Sequence, residues 1–221
     1  MEIGISDKLR VNMSYTCSYV TCFALSVWHT AWAVAGNSQT TAVFEAKFGW
    51  TTDDTIMYNT IISSGGIFGL VIGSFLGGSL LKLGRRKAFL IGQAFALLGA
   101  AICMAGTVPY LSIGRLFVGV AGGISSVTYS KFIMENMPEK LADKFSLCLN
   151  VSICIGLIPC FLMGELLPDP SDYQGNKDDE LWRVIFAFPA LIAVIVSVLV
   201  LLVFKHEPIS YCIMNDLEEE G

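Results

Sequence analysis

Arg115 has the most chemistry to account for. It lies inside an apolar run at roughly 110–134 that is long enough to cross a bilayer. A guanidinium at that depth is costly unless a partner or water receives it, which makes Arg115 a candidate substrate or charge contact. Snorkelling is the alternative, because Arg115 stands about a turn and a half from the start of its run and could reach the interface. His29, next to Trp28 and near Trp32, could contact a proton or a substrate. No acidic residue shares its run, so a satisfied structural histidine is the simpler reading. Asn150 and Gln39 add amides to other apolar segments, Glu135 adds a carboxylate, and Lys82, Arg85, Arg86 and Lys87 place four cations within six residues.

No nucleophile with a base, phosphate-binding loop or metal-ligand cluster falls in a soluble segment, so no enzyme activity, cofactor or metal is expected. Seven cysteines could suggest a disulfide framework, but Cys17, Cys22, Cys103, Cys148, Cys154 and Cys160 fall in apolar runs and read as small core residues. The net charge of −5 comes from acidic clusters at Asp169–Glu180 and Glu218–Glu220, which argues against nucleic acid as a partner.

The elements that must position these residues are membrane spans. With 54% apolar and 15% charged residues, the 221-residue chain suits lipid better than water. Six runs qualify as spans, at roughly 15–36, 57–81, 88–106, 110–134, 146–167 and 184–204. They form an expected membrane domain over 1–205, followed by an acidic tail over 206–221. The first run has no small-residue cleavage pattern and reads as a retained helix. Ten Lys and Arg fall on one side of the six spans and three (Lys47, Lys177, Arg183) on the other. That split puts both termini on the positive-inside face, in a plasma membrane or an organelle membrane such as the mitochondrial inner membrane.

Span two carries Gly65, Gly69, Gly73 and Gly77, one every four residues, a stripe that lets another helix backbone approach closely. Thr52-Asp53-Asp54 looks like a helix start. Span one has a polar stripe that includes Thr16, Ser18, Thr21, Ser26 and Thr30. Span four adds Ser125, Ser126 and Thr128, and span five adds Asn150 and Ser152, with Pro159 expected to bend the helix. Span three has one notably polar side chain, Gln93, and span six has only Ser197, so both read as lipid-facing. Spans one, two, four and five should line an interior.

In order and spacing these landmarks resemble the N-terminal half of a sugar porter of the major facilitator superfamily. The resemblance rests on Gly77 to Arg86 as the glycine-to-GRR loop, Gly114-Arg115 with Glu135 to Pro138 as the GR start and ExxP exit of span four, Trp182-Arg183 with Pro189 in span six, and His206-Glu207-Pro208 as a loose PESPR-like tail. It implies an all-α integral membrane fold, one six-helix half of a major-facilitator body. Substrate contacts are then expected at Gln39, Arg115 and Asn150, and a gating charge network at Arg85, Arg86, Glu135 and Arg183. The chain departs from the family pattern at Leu81, at Ser130 and Phe132, and at Ala142-Asp143. Asn150 also stands where a glutamine is usual, and span one lacks the aspartate of proton-coupled members.

A half-shell with a polar face needs a cover in lipid. The departures favour a degenerate half kept as a structural or accessory subunit of a larger membrane complex. The alternative is a transport-competent half that pairs with another half and moves a hexose by alternating access, and a third reading is a fragment of a longer transporter. The expected partners are the lipid bilayer, with other membrane subunits or a second half over spans one, two, four and five.

Overall fold

A computed structural model describes residue 21, residues 24–136 and residues 139–202. The start of span one with Thr16 and Ser18, Lys8, Arg10, Cys17, Cys22, Pro138, Lys205, the PESPR-like tail and the acidic tail 206–221 lie outside the described residues. The described helices are α1 (Trp28–Ala35), α2 (Thr41–Phe48), α3 (Thr52–Leu80), α4 (Arg85–Cys103), α5 (Val108–Asn136), α6 (Glu139–Gly164), α7 (Tyr173–Asp178) and α8 (Trp182–Leu202). Short 3-10 turns at Ser38–Thr40 and Leu81–Leu83 join neighbours. Among the described residues, five helical stretches are long and apolar enough to cross a membrane; they are α3 with its 3-10 turn, α4, α5, α6 from Phe145 and α8.

Local sequence accounts for the boundaries. Thr51 caps α3 by accepting from the Asp54 amide while the Asp54 carboxylate accepts from the Thr51 amide, a capping box that satisfies donors at both ends of the turn. At the other end Gly84 (φ 106°, ψ 150°) reverses the chain into α4 in a backbone region that a side chain would strain. Gly49, in the left-handed region, stops α2.

Glycine sets the tightest packing. A Cβ added at Gly65, Gly69, Gly73 or Gly77 would meet the backbone at Ser112, Leu116, Val120 and Ile124 in turn. Both residue series advance by four, so α3 and α5 run parallel with their backbones in near contact. Gly119 and Gly123 of α5 return the contact against Gly66 and Leu70. On the other side of α5, Gly99 and Gly114 face each other while Gly92 faces Ile124, so α4 packs antiparallel to α5.

The apolar core occupies both ends. At one end Phe89, Tyr129, Ile133 and Val196 cluster from α4, α5 and α8. At the other Phe44, Ile62, Leu111, Trp182 and Phe186 join α2 to the spans. Trp32 ties α1 to α8 by donating from its indole to the Ile185 carbonyl (2.8 Å) and stacking on Phe188 at 4.5 Å.

Candidate functional site

Arg115 does not snorkel. It is 3% exposed, and its guanidinium turns inward to donate to the main-chain carbonyls of Trp32 (3.3 Å) and Ala33 (2.6 Å). These carbonyls belong to the last turn of α1, where the helix dipole is negative and backbone acceptors run out of partners. The arginine therefore acts as a C-terminal clamp on α1 from the neighbouring span. Phe186 lies 6.0 Å from its guanidinium carbon, within cation–π reach.

The polar stripe of span one pairs inward with three other helices. Ser26 hydrogen-bonds Ser125 (2.7 Å), and Thr30 hydrogen-bonds Ser126 (3.2 Å). Trp28 donates to Ser152 (3.2 Å), which itself donates to the Ala24 carbonyl (2.6 Å). Gln93 corrects the reading of span three as lipid-facing. It is 1% exposed, donates to Ser26 (2.5 Å) and bonds His29 through its amide oxygen (2.9 Å). Small residues, Ala88, Gly92, Ala96 and Gly99, bring that side of α4 into the bundle and carry Gln93 with them. His29 thus has a partner, on another helix rather than its own.

The three expected substrate residues are not gathered at one point. Arg115 is sealed inside the bundle, whereas Gln39 is half-buried and lines a cleft at the end of the molecule where α2 and α7 lie. Asn150 stands exposed on α6 with Leu147, Cys154, Ile158 and Phe161, all exposed on the same stripe. Thr30 and Ser126 are half-buried, the partly open end of the otherwise internal polar pairing.

The expected charge network divides between the two ends. Arg85, at the first residue of α4, makes a bidentate pair with Glu135 near the end of α5; one arm is 2.7 Å from Nε to Oε2 and the other joins Nη2 to Oε1. Arg85 also donates to the Leu81 carbonyl (3.4 Å). Arg86 follows, half-buried beside it. Arg183 belongs to the opposite end, because the Trp182 ring packs against Gly106, beyond the far terminus of α4. There it pairs with Glu180 (2.9 Å) and lies over the Trp182 ring at 5.4 Å.

That end carries features that the apolar runs gave no sign of. Lys47 of α2 reaches Glu180 (2.7 Å) and lies 5.6 Å from the Trp182 ring, so it latches α2 to the start of α8. The hydrogen bond from Lys47 holds the Glu180 carboxyl below the ordinary glutamate range. Bonds from the Ser171 hydroxyl and amide lower Asp169 in the same way. Between α2 and the segment from Gly164 to Asn176 lies a cleft of about 730 Å³, lined in part by Gln39, Glu45, Glu165 and Asp169. A pocket of about 300 Å³ with Trp50 and Tyr173 adjoins it and shares Glu45 and Asn176. Asp172 caps α7 by accepting from the Gly175 amide (3.0 Å), in a stretch the sequence marks only as an acidic cluster.

A family model described as "Sugar (and other) transporter" matches residues 15–221. Among curated relatives, "Hexose transporter 1" of Plasmodium vivax is 25% identical across 100% of this chain and 47% of its own length. "Plastidic glucose transporter 4" of Arabidopsis thaliana is 30% identical over 71% of this chain and 27% of its own. Among solved structures, the proton:xylose symporter XylE bound to 6-bromo-6-deoxy-D-glucose superposes with a TM-score of 0.79 at 18% identity, over 95% of this chain and 48% of that one. An inward-open form of the E. coli xylose transporter gives 0.75 at the same identity. The chain spans less than half the length of these curated relatives, and the structural likeness establishes the fold of half a major-facilitator body.

Proposed function

The chain belongs to the sugar transporter family, and from that premise we propose that it forms one six-helix wall of a membrane sugar path, closed by a second six-helix body. Hexoses are the substrate class, by likeness to the named relatives. The second body is a copy of this chain, another half, or a further stretch of the same polypeptide. Movement follows alternating access, with both termini on the positive-inside face.

The observation that carries this reading is Asn150. Its amide makes no side-chain hydrogen bond among the described residues and stands alone in an exposed stripe of apolar side chains. Facing hydrocarbon, an unsatisfied amide costs about 1–3 kcal/mol, which favours water, a sugar hydroxyl or a polar group of a second body as its neighbour. The half-open Thr30–Ser126 pair adds a second hydroxyl-rich point from spans one and four.

A second reading, a structural subunit of a larger membrane complex, is favoured by the internal pairing of Ser26, Gln93, His29 and Ser152 and by the main-chain clamp of Arg115. Groups satisfied in this way serve packing as they stand. Uptake of labelled D-glucose into proteoliposomes separates the two readings, with the chain purified together with whatever six-helix body accompanies it from native membranes. Saturable uptake that Asn150→Ala reduces supports the sugar path. A fixed complex with no uptake supports the structural role.

A further inference from the structure

We infer that the cleft between α2 and the Gly164–Asn176 segment, together with its aromatic side pocket, is a sugar-docking vestibule at the mouth of the path, separate from the Asn150 face. The inference rests on the sugar-path reading above. The two hollows, about 730 and 300 Å³, share Glu45 and Asn176 in their walls and have the volume of small-molecule sites.

Their chemistry suits a neutral, hydroxyl-rich ring. Glu45 and Glu165 offer carboxylate acceptors, Gln39 and Ser38 offer groups that both donate and accept, and Trp50 and Tyr173 offer flat apolar faces. A pyranose presents the matching set, hydroxyls at its rim and C–H groups on its faces. Trp50 is positioned for this by stacking on Phe48 (5.3 Å) and by contact with Tyr58 (5.1 Å), while Tyr173 is 57% exposed. The opposing wall is rigid at one point. Asn176, 1% exposed, donates to the carbonyls of Asp169 (2.8 Å) and Asp172 (2.9 Å) and so pins the segment that carries Glu165 and Tyr173. The carboxylates sit on separate elements and, among the described residues, do not gather into a metal-holding group. This favours an uncharged polyol over a divalent cation.

The position adds to the argument. The cleft lies at the end opposite the Arg85–Glu135 pair, and Gln39 on its wall follows directly on α1, whose Thr30 belongs to the half-open polar pair. A sugar held there would stand at the entrance rather than in the path.

The test is equilibrium binding of D-glucose to the full chain in lipid nanodiscs, read by saturation-transfer NMR. The double variant Glu45→Gln with Tyr173→Ala should weaken binding at least about fivefold. Gly78→Ala, where an added Cβ meets nothing within 4 Å, should leave this binding unchanged. Tyr173 is exposed and Glu45 half-buried, and an unaltered melting profile of the variant shows that the fold persists. No binding by the wild-type chain, or binding that survives the double variant, overturns the inference. Uptake without cleft binding would sink only the vestibule, and cleft binding without uptake would sink only the sugar path.

Discussion

Arg115 donates to the Ala33 carbonyl across 2.6 Å, so a cation in the second turn of one span closes the end of another. Trp32, its second acceptor, also receives the Gly36 amide, but Ala33 loses a buried partner if the guanidinium is removed. Arg115→Leu should therefore lower stability by about 1–3 kcal/mol, the cost of an orphaned carbonyl. Arg115→Lys should cost less, because it keeps charge at the negative helix end but cannot fork between two acceptors. Thermal unfolding in detergent checks the order. A Leu variant as stable as the parent would show that relief from burying the charge outweighs the bond.

The glycine ladder makes a sharper contrast. A Cβ at Gly69 would land on the Leu116 carbonyl, whereas one at Gly78 meets nothing within 4 Å. Gly69→Val should push α3 from α5 and cost more than about 3 kcal/mol, seen as loss of a monodisperse peak on size exclusion. Gly78→Ala should be neutral or gain up to about 1 kcal/mol from reduced chain entropy. Equal effects at the two positions would deny that close backbone approach is what the glycines provide.

Glu135→Leu takes the counter-charge from Arg85, whose side chain is 7% exposed. Glu135→Leu should cost about 3–5 kcal/mol, and the double change with Arg85→Met should cost less than the single one. A double variant worse than Glu135→Leu would mean that the contacts Arg85 makes beyond Glu135, the Leu81 carbonyl among them, stabilise the protein more than the ion pair does.

The Lys47–Glu180 latch should respond to acid. Because Lys47 lowers the Glu180 carboxyl in the folded protein, the latch contributes above the ordinary glutamate range and is lost as pH falls below it. Trp182 sits under Lys47, so its fluorescence should change over that acid range and the change should vanish in Lys47→Met. A transition centred near neutral pH would assign the signal to another group.

These relationships divide by how local their causes are. Five spans, in α3, α4, α5, α6 and α8, were legible from apolar runs, the start of α3 from Thr52-Asp53-Asp54, and the stripe on span two from glycines four residues apart. The partners were not, because they are distant in sequence: Gln93 meets His29 across 64 residues, and one polar side chain in an apolar span carries no sign of its direction. Arg115 was legible as costly and illegible in its solution, since main-chain acceptors leave no mark on residue type. The α2 and α7 cleft was hidden for a related reason. Its walls come from residues far apart in sequence, Gln39 and Glu45 on one side and Glu165 and Asp169 on the other.

The central claim is that Asn150 faces a watery sugar path, and thiol accessibility at that position in native membranes tests it most directly. Cys148 and Cys154 are exposed on the same helix, so both are first changed to Ser before Asn150→Cys is introduced. The account predicts that a charged, membrane-impermeant thiol reagent modifies position 150 and that D-glucose slows the reaction. Modification only by lipid-soluble reagents, indifferent to glucose, would place Asn150 against hydrocarbon and contradict it.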